Sequence, residues 1–112
     1  MAKLECALQG SFNDILTELE QEVLNGSMSA TLEDSSDFSA AGVRCAVRVF
    51  ERYSMLGGNR VSLSITLLEA GDKLYMSAIT AGGSQAMFFK LNTLGEETFL
   101  DCISATVRKY II

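Results

Sequence analysis

The stretch GVRCAVRVFERY, residues 42–53, decides the fold because two different sets of side chains alternate over its whole length. A period of two residues is typical of a β-strand whose two faces differ. One side carries Val43, Cys45, Val47 and Val49, and the other carries Arg44, Ala46, Arg48, Phe50 and Arg52. The stretch therefore predicts a long strand with an apolar face and a polar, arginine-bearing face.

The same division recurs in the strand that follows. Residues 61–67 come after a glycine-rich turn at 57–59, and apolar side chains alternate there with hydroxyls. The apolar set is Val61, Leu63, Ile65 and Leu67, and the polar set is Ser62, Ser64 and Thr66. Two such strands predict an antiparallel sheet with one face in the core and a second, polar face left over.

Two amphipathic helices can cover the apolar face. The first begins at Ser11, which forms an S-x-x-D capping pattern with Asp14, and it ends at Asn25-Gly26. Its apolar residues are Phe12, Ile15, Leu16, Leu19, Val23 and Leu24. The second follows a capping box at residues 93–96, and its stripe is Phe99, Ile103, Thr106, Val107, Tyr110 and Ile111. Both stripes need an apolar surface, which the sheet supplies.

Three carboxylates, Glu18, Glu20 and Glu22, lie off the apolar stripe of the first helix. They predict a solvated acidic face. The alternative is that Glu18 and Glu22, four residues apart, chelate a metal ion or act in acid and base chemistry.

Shorter alternating stretches predict four further strands, at residues 3–8, 28–32, 73–80 and 86–91. The alternation does not decide which side of the strand at 73–80 is buried. The polar run at 33–37 lacks the ligand spacing of a calcium loop and predicts an exposed loop. We therefore expect one α+β domain over residues 1–112, a two-layer sandwich. It combines a mainly antiparallel, curved sheet of about five or six strands with two helices on one face.

Charge and hydropathy narrow the classes of partner. The net charge is −5, with −7 in residues 1–37 and +3 in residues 38–65. An acidic protein with one basic segment is a poor nucleic-acid binder, since phosphates require a positive field. No window approaches the ~18 apolar residues of a membrane helix, and the amino terminus has no secretory signal. These features predict a cytoplasmic protein without nucleic-acid or membrane partners.

The inventory of reactive side chains disfavours catalysis. The chain has no histidine and no CxxC pair, so the commonest general base and a thiolate zinc site are both missing. Cys6, Cys45 and Cys102 are far apart in apolar surroundings, which predicts free, buried thiols. We therefore expect no catalytic residue, no metal site and no cofactor.

The arginine row, Arg44, Arg48 and Arg52, is the first candidate binding site. Neighbouring arginines lie about 13 Å apart at ~3.3 Å per residue, so the row cannot hold one phosphate group together. Each guanidinium can instead bind a different acidic group of a ligand or of another subunit, with Phe50 as an apolar anchor. The alternative is a solvated sheet face on which the arginine stems cover the strands.

The second candidate is the loop Gly82-Gly83-Ser84-Gln85. Its spacing matches no phosphate-binding loop, and it leads into a β-like run. The glycines therefore indicate a bend or bulge, and Ser84 and Gln85 are candidates for hydrogen-bond donors at the rim of a pocket between sheet and helices.

The chain resembles a small uncharacterised family of cytoplasmic proteins from Gram-positive anaerobic bacteria. The resemblance rests on Leu32 to Asp37, Asn59 to Leu63, and the Gly82-Gly83-Ser84-Gln85 loop with Phe88-Phe89. It covers nearly the whole chain, and it implies no activity, cofactor or catalytic residue.

The function expected from the sequence is association without catalysis, with self-association through the polar sheet face into a homo-oligomer. The alternative is a protein that binds a small anionic ligand in a pocket between sheet and helices. A carboxylate-based enzyme is a third, weaker hypothesis.

Overall fold

The computed structural model describes residues 1–27, 29–53, 60–82 and 96–112. Its strands are β1 (Ala2–Leu8), β2 (Thr31–Ala40), β3 (Val43–Tyr53), β4 (Arg60–Ala70) and β5 (Lys73–Gly82). Its helices are α1 (Phe12–Gly26), α2 (residues 96–101 of the described chain) and α3 (Ser104–Tyr110). The strands form one antiparallel open sheet in the order β1-β5-β4-β3-β2, which confirms the α+β class.

Helix α1 begins where its capping pattern predicts. The Ser11 hydroxyl accepts a hydrogen bond from the backbone N–H of Asp14 at 3.3 Å, and the helix ends at Gly26. The buried side of the helix carries Phe12, Ile15, Leu19 and Val23. Most of the predicted apolar stripe thus enters the core, whereas Leu24 stays 39% exposed.

The second predicted helix is two helices in the described chain. Residues 102 and 103 form a turn between α2 and α3. The N–H groups of Cys102 and Ile103 donate to carbonyls only three residues back, those of Phe99 and Leu100. This tighter turn interrupts the α-helical ladder and redirects the chain, so three helices rather than two accompany the sheet.

The polar run at 33–37 is part of strand β2, so the loop prediction is wrong. All ten residues of β2 are exposed, and among the described strands it pairs with β3 alone, at the edge of the sheet. Charged residues such as Asp34 and Asp37 suit an edge strand because they discourage pairing with another chain. The hairpin to β3 turns at Ala41 and Gly42, whose φ angles of 53° and 81° are those of a two-residue turn with both residues left-handed.

The core lies between the sheet and its helices. In β4, Val61, Leu63, Ile65 and Leu67 are buried as the alternation predicts. In β5 the structure decides what the alternation left open: Leu74, Met76, Ala78 and Thr80 point inward. The buried Thr80 hydroxyl accepts from the Ala2 N–H at 3.3 Å and donates to the Ala2 carbonyl at 3.4 Å, which satisfies it.

Candidate functional site

The arginine row lies on the sheet face that the helices cover. Phe50 and Ala46, which share that face of β3, are buried, and Phe50 is 0% exposed. In the register of the sheet Phe50 stands beside Leu63 and Arg48 beside Ile65, both core positions of β4. The prediction that this side of β3 is the uncovered polar face is therefore wrong, and Phe50 is a core residue rather than an exposed anchor.

Arg48 joins the helix layer to the edge of the sheet. Its Nε donates to Glu20 of α1 at 3.2 Å, and one terminal nitrogen donates to Asp37 of β2 at 2.9 Å. The other terminal nitrogen donates to the carbonyls of Val47 at 3.0 Å and Ser36 at 3.4 Å. Only 11% of this side chain is exposed, so its charge is matched almost wholly within the chain.

The other two arginines also meet the helices. The Arg44 guanidinium lies 4.2 Å from the ring centre of Phe12 and donates to the Asn13 side chain at 2.9 Å. The Arg52 guanidinium lies 4.4 Å from the ring centre of Phe99. Cation–π contacts of this kind let an arginine stem pack at the border of an apolar core while its charge keeps a partner.

The acidic residues of α1 are bound to other elements, so the prediction of a solvated acidic face is wrong. Glu18 accepts hydrogen bonds from Lys109 at 2.6 Å and from the Tyr110 hydroxyl. Glu22 accepts from the N–H of Thr106 at 2.8 Å and from its hydroxyl. Together with the ion pair of Glu20 to Arg48, these contacts fasten α1 to α3 and to the sheet.

Hydrogen bonding also sets the titration of these groups. The bond from Lys109, followed by that from Tyr110, holds the pKa of Glu18 below its ordinary value. The bond to Glu18 raises the pKa of Lys109. Burial raises the pKa of the Cys102 thiol, although the Arg52 guanidinium, 3.5 Å from its sulfur, opposes that shift. Cys102 is consequently a weak nucleophile at neutral pH.

Cys6, Cys45 and Cys102 are all free and partly buried. In the part of the chain that the structure describes, no three histidine, cysteine or acidic side chains are grouped so that they could hold a metal ion. No helix in these ranges is long and apolar enough to cross a membrane. Ser84 and Gln85, with the pocket rim assigned to them, lie outside the described residues, as do the turn at 57–59 and the strand at 86–91.

The opposite side of the sheet carries no helix in the described chain, and we call it the open face. Paired residues place its side chains in three rows that run across all five strands. The rows are Phe38-Cys45-Leu68-Tyr75-Ala7, Ser36-Val47-Thr66-Ser77-Glu5 and Asp34-Val49-Ser64-Ile79-Lys3. The first row is apolar along its whole length except for the phenol hydroxyl and the thiol.

Several large apolar side chains on the open face are exposed to solvent. Phe38 is 62% exposed, Tyr75 45%, and Val43 and Ile79 each 38%. A shallow depression of about 460 Å³ lies at its β1 end, with Leu68 and Tyr75 in its lining. Isolated exposed apolar residues are ordinary, whereas large contiguous apolar patches mark interaction sites. Here Phe38 and Val43 lie on neighbouring strands, and Ser77 separates Tyr75 from Ile79.

Charges on the open face lie at its margins. Lys3 and Glu5 are on the edge strand β1, and Asp34 is on the edge strand β2. Lys73 and Glu51 lie beyond opposite ends of the three rows. An apolar centre inside a polar rim is the usual composition of a protein–protein interface. The first row of the open face, with charges at the margins, resembles it.

The open-face side chains were not among the candidates from the sequence. Their signal was present in Val43, Cys45, Val47 and Val49, which the alternation separates cleanly from the arginines. A second signal was Glu20 on α1, whose carboxylate pairs with Arg48 on the sheet face that the helix covers. The sequence identifies the open face only when these two signals are combined.

Comparison with known proteins agrees with the resemblance in its broad form. A model described as "Family of unknown function (DUF6054)" matches residues 1–111. A search of curated proteins finds no match. The chain therefore belongs to the DUF6054 family.

Proposed function

We propose that this DUF6054 protein is an association module that pairs with a second copy of itself through the open face. The observation that carries the proposal is the set of large apolar side chains exposed on the open face within a charged rim: Phe38, Val43, Tyr75 and Ile79, each at least 38% exposed. Burial of such a surface against another protein is favourable because it removes apolar area from water.

The size of the open face suits a weak dimer. Five strands at ~4.8 Å spacing and three rows of about 7 Å along each strand give on the order of 500 Å² per copy. Two copies would bury about 1,000 Å² in total, which is the lower limit for a specific interface. A sheet face that no described helix covers can gain a layer from an identical subunit, and two-fold homodimers are the commonest oligomers.

The proposal keeps the self-association expected from the sequence and moves it to the other face of the sheet. The alternative, a small anionic ligand held by the arginines, has less support. Arg48 already binds Glu20 and Asp37, and Arg44 and Arg52 lie over aromatic rings of the helix layer.

Sedimentation equilibrium over a range of concentrations tests the proposal. A matched pair of variants places the same charge on either side of the molecule: Ile79→Glu on the open face and Leu24→Glu on α1, where the native side chains are 38% and 39% exposed. We expect the wild type and Leu24→Glu to be dimers and Ile79→Glu to be a monomer.

A wild-type chain that remains a monomer at about 1 mM would overturn the proposal, since association weaker than this has no specificity to explain. An equal loss of association in both variants would place the interface elsewhere. Circular dichroism spectra of the two variants show whether each keeps its fold.

A further inference from the structure

We infer that the two copies stack with their two-fold axis parallel to β4, so that β1 of one copy lies over β2 of the other. This inference rests on the proposed function, because it assigns the geometry of that same interface. When a two-fold rotation stacks two identical faces on each other, its axis must lie in the plane between them. In aligned packing the strands of two sheets remain within about 30° of one another, and the axis then runs either along the strands or across them.

An axis along β4 keeps each row opposite the same row of the partner. Strand β4 is central among the described strands, with two of them on either side. The rotation exchanges β1 with β2 and β5 with β3. Each side chain therefore faces a residue of the other copy that belongs to the same row and lies on the exchanged strand. Residues of β4 itself, such as Ser64 and Leu68, then face their own copies.

This arrangement is complementary in charge and in polarity. At one margin Lys3 faces Asp34 of the other copy, and symmetry forms this pair twice. At the other end of the strands, Ala7 faces Phe38. Between the two, Glu5 faces the neutral Ser36. No charged residue of the three rows meets one of like sign.

An axis across the strands is less favourable. Centred on Thr66, it places Glu5 opposite Glu5, at a distance of packed sheets where like charges repel. Shifted by half a row toward Ser64, it pairs Lys3 with Glu5, which already lie 3.7 Å apart within one chain. Either choice leaves Asp34 without a cation, whereas the axis along β4 gives it Lys3.

Cross-linking can test which residues face each other across the interface. In a chain whose three cysteines are replaced by alanine, the variant Ser64→Cys places one thiol on β4 and Ser36→Cys places one on β2. Packed sheets are ~10 Å apart, so a bifunctional maleimide of that reach joins only residues that face themselves. We expect Ser64→Cys to form a covalent dimer at high yield and Ser36→Cys to form little.

The opposite pattern, with Ser36→Cys joined and Ser64→Cys not, would show an axis across the strands and overturn the inference. A dimeric mass would persist in that case, so the proposed function would survive. A monomeric mass in the wild type would overturn both.

Charge reversal gives a second measurement that needs no cysteine replacement. Lys3→Glu alone and Asp34→Lys alone each place like charges together twice in the dimer, so each should weaken association by about tenfold at low salt. The double variant restores the opposite charges and should associate nearly as tightly as the wild type. If the double variant loses as much association free energy as the two single variants together, the pairing of Lys3 with Asp34 is contradicted.

Discussion

The two faces of the sheet use charged and apolar residues in opposite ways. The covered face holds Arg44, Arg48 and Arg52 beside the buried ring of Phe50, yet each guanidinium has a partner in the helix layer or in the adjacent strand. The open face carries valines, hydroxyls and exposed aromatic rings, and its charges lie at the margins. Polarity of a strand face alone therefore does not tell which face is covered.

The reason lies in the length of the arginine side chain and in the composition of the helices. An arginine stem can lie along apolar surface while its guanidinium reaches a distant partner. Helix α1 supplies Glu20 and the ring of Phe12 at the required places. The covered face is thus a core with charged ends, and the open face is a surface with an apolar centre.

The largest effect should come from removal of an aromatic ring on the covered face. Phe50→Ala leaves a cavity in the core, and we expect it to lower the free energy of unfolding by about 3–5 kcal/mol. The control is Phe38→Ala on the open face, where the ring is 62% exposed, and its cost should stay below about 1 kcal/mol.

Urea denaturation of dilute protein measures both changes, since dilution suppresses any contribution from a dimer. Equal losses for the two alanine variants would mean that the faces do not differ in burial.

A smaller effect should follow from loss of the Arg48 charge. Arg48→Met keeps most of the stem but removes the bonds to Glu20 and Asp37 and leaves Glu20 part-buried and unpaired. We expect a loss of about 1–3 kcal/mol. Arg108→Met is the matched control, because Arg108 lies on α3 and its hydrogen bond goes to Ser104 of the same helix; its effect should be within about 0.5 kcal/mol.

Thermal denaturation of the two methionine variants at pH 7 gives the comparison. If Arg48→Met is as stable as Arg108→Met, the guanidinium on the covered face contributes no more than an exposed one.

The smallest effect should be the pH dependence of the contact that fastens α1 to α3. The folded-state pKa of Glu18 is lowered, so its stabilising contribution is complete above the ordinary value of 4.5 and disappears as the pH falls through the folded-state pKa. We expect the wild type to melt at a higher temperature than Glu18→Gln at pH 7, and the difference to shrink below pH 4.5.

The matched control for this titration is Glu97→Gln, whose carboxylate lies on α2. A difference between wild type and Glu18→Gln that stays constant from pH 7 to pH 3 would show that the charge of Glu18 contributes nothing. The same ion pair also weakens at high pH. Because the folded-state pKa of Lys109 is raised above the ordinary 10.5, the stabilising contribution of Lys109 is complete below pH 10.5 and is lost as the pH rises through the folded-state pKa.

Local sequence patterns correctly predicted the elements that depend on residues close together in the sequence. The cap at Ser11, the end of α1 at Gly26 and the alternation of β4 all depend on neighbours along the chain, and all are found. The strand predicted at 28–32 overlaps β2 only at Thr31 and Leu32. The rest of β2 was missed because its residues are exposed, so its sequence carries no apolar alternation and only pairing with β3 makes it a strand.

The sequence by itself determined the class of the fold, the alternation that separates the arginines from the valines of β3, and the absence of histidine chemistry. Only the tertiary structure decided which of the two faces the helices cover. That choice depends on contacts between residues far apart in the chain, such as Glu20 with Arg48 and Phe99 with Arg52. A period of two divides the side chains of a strand into two sets, but the energy of burial depends on the partners that each set meets.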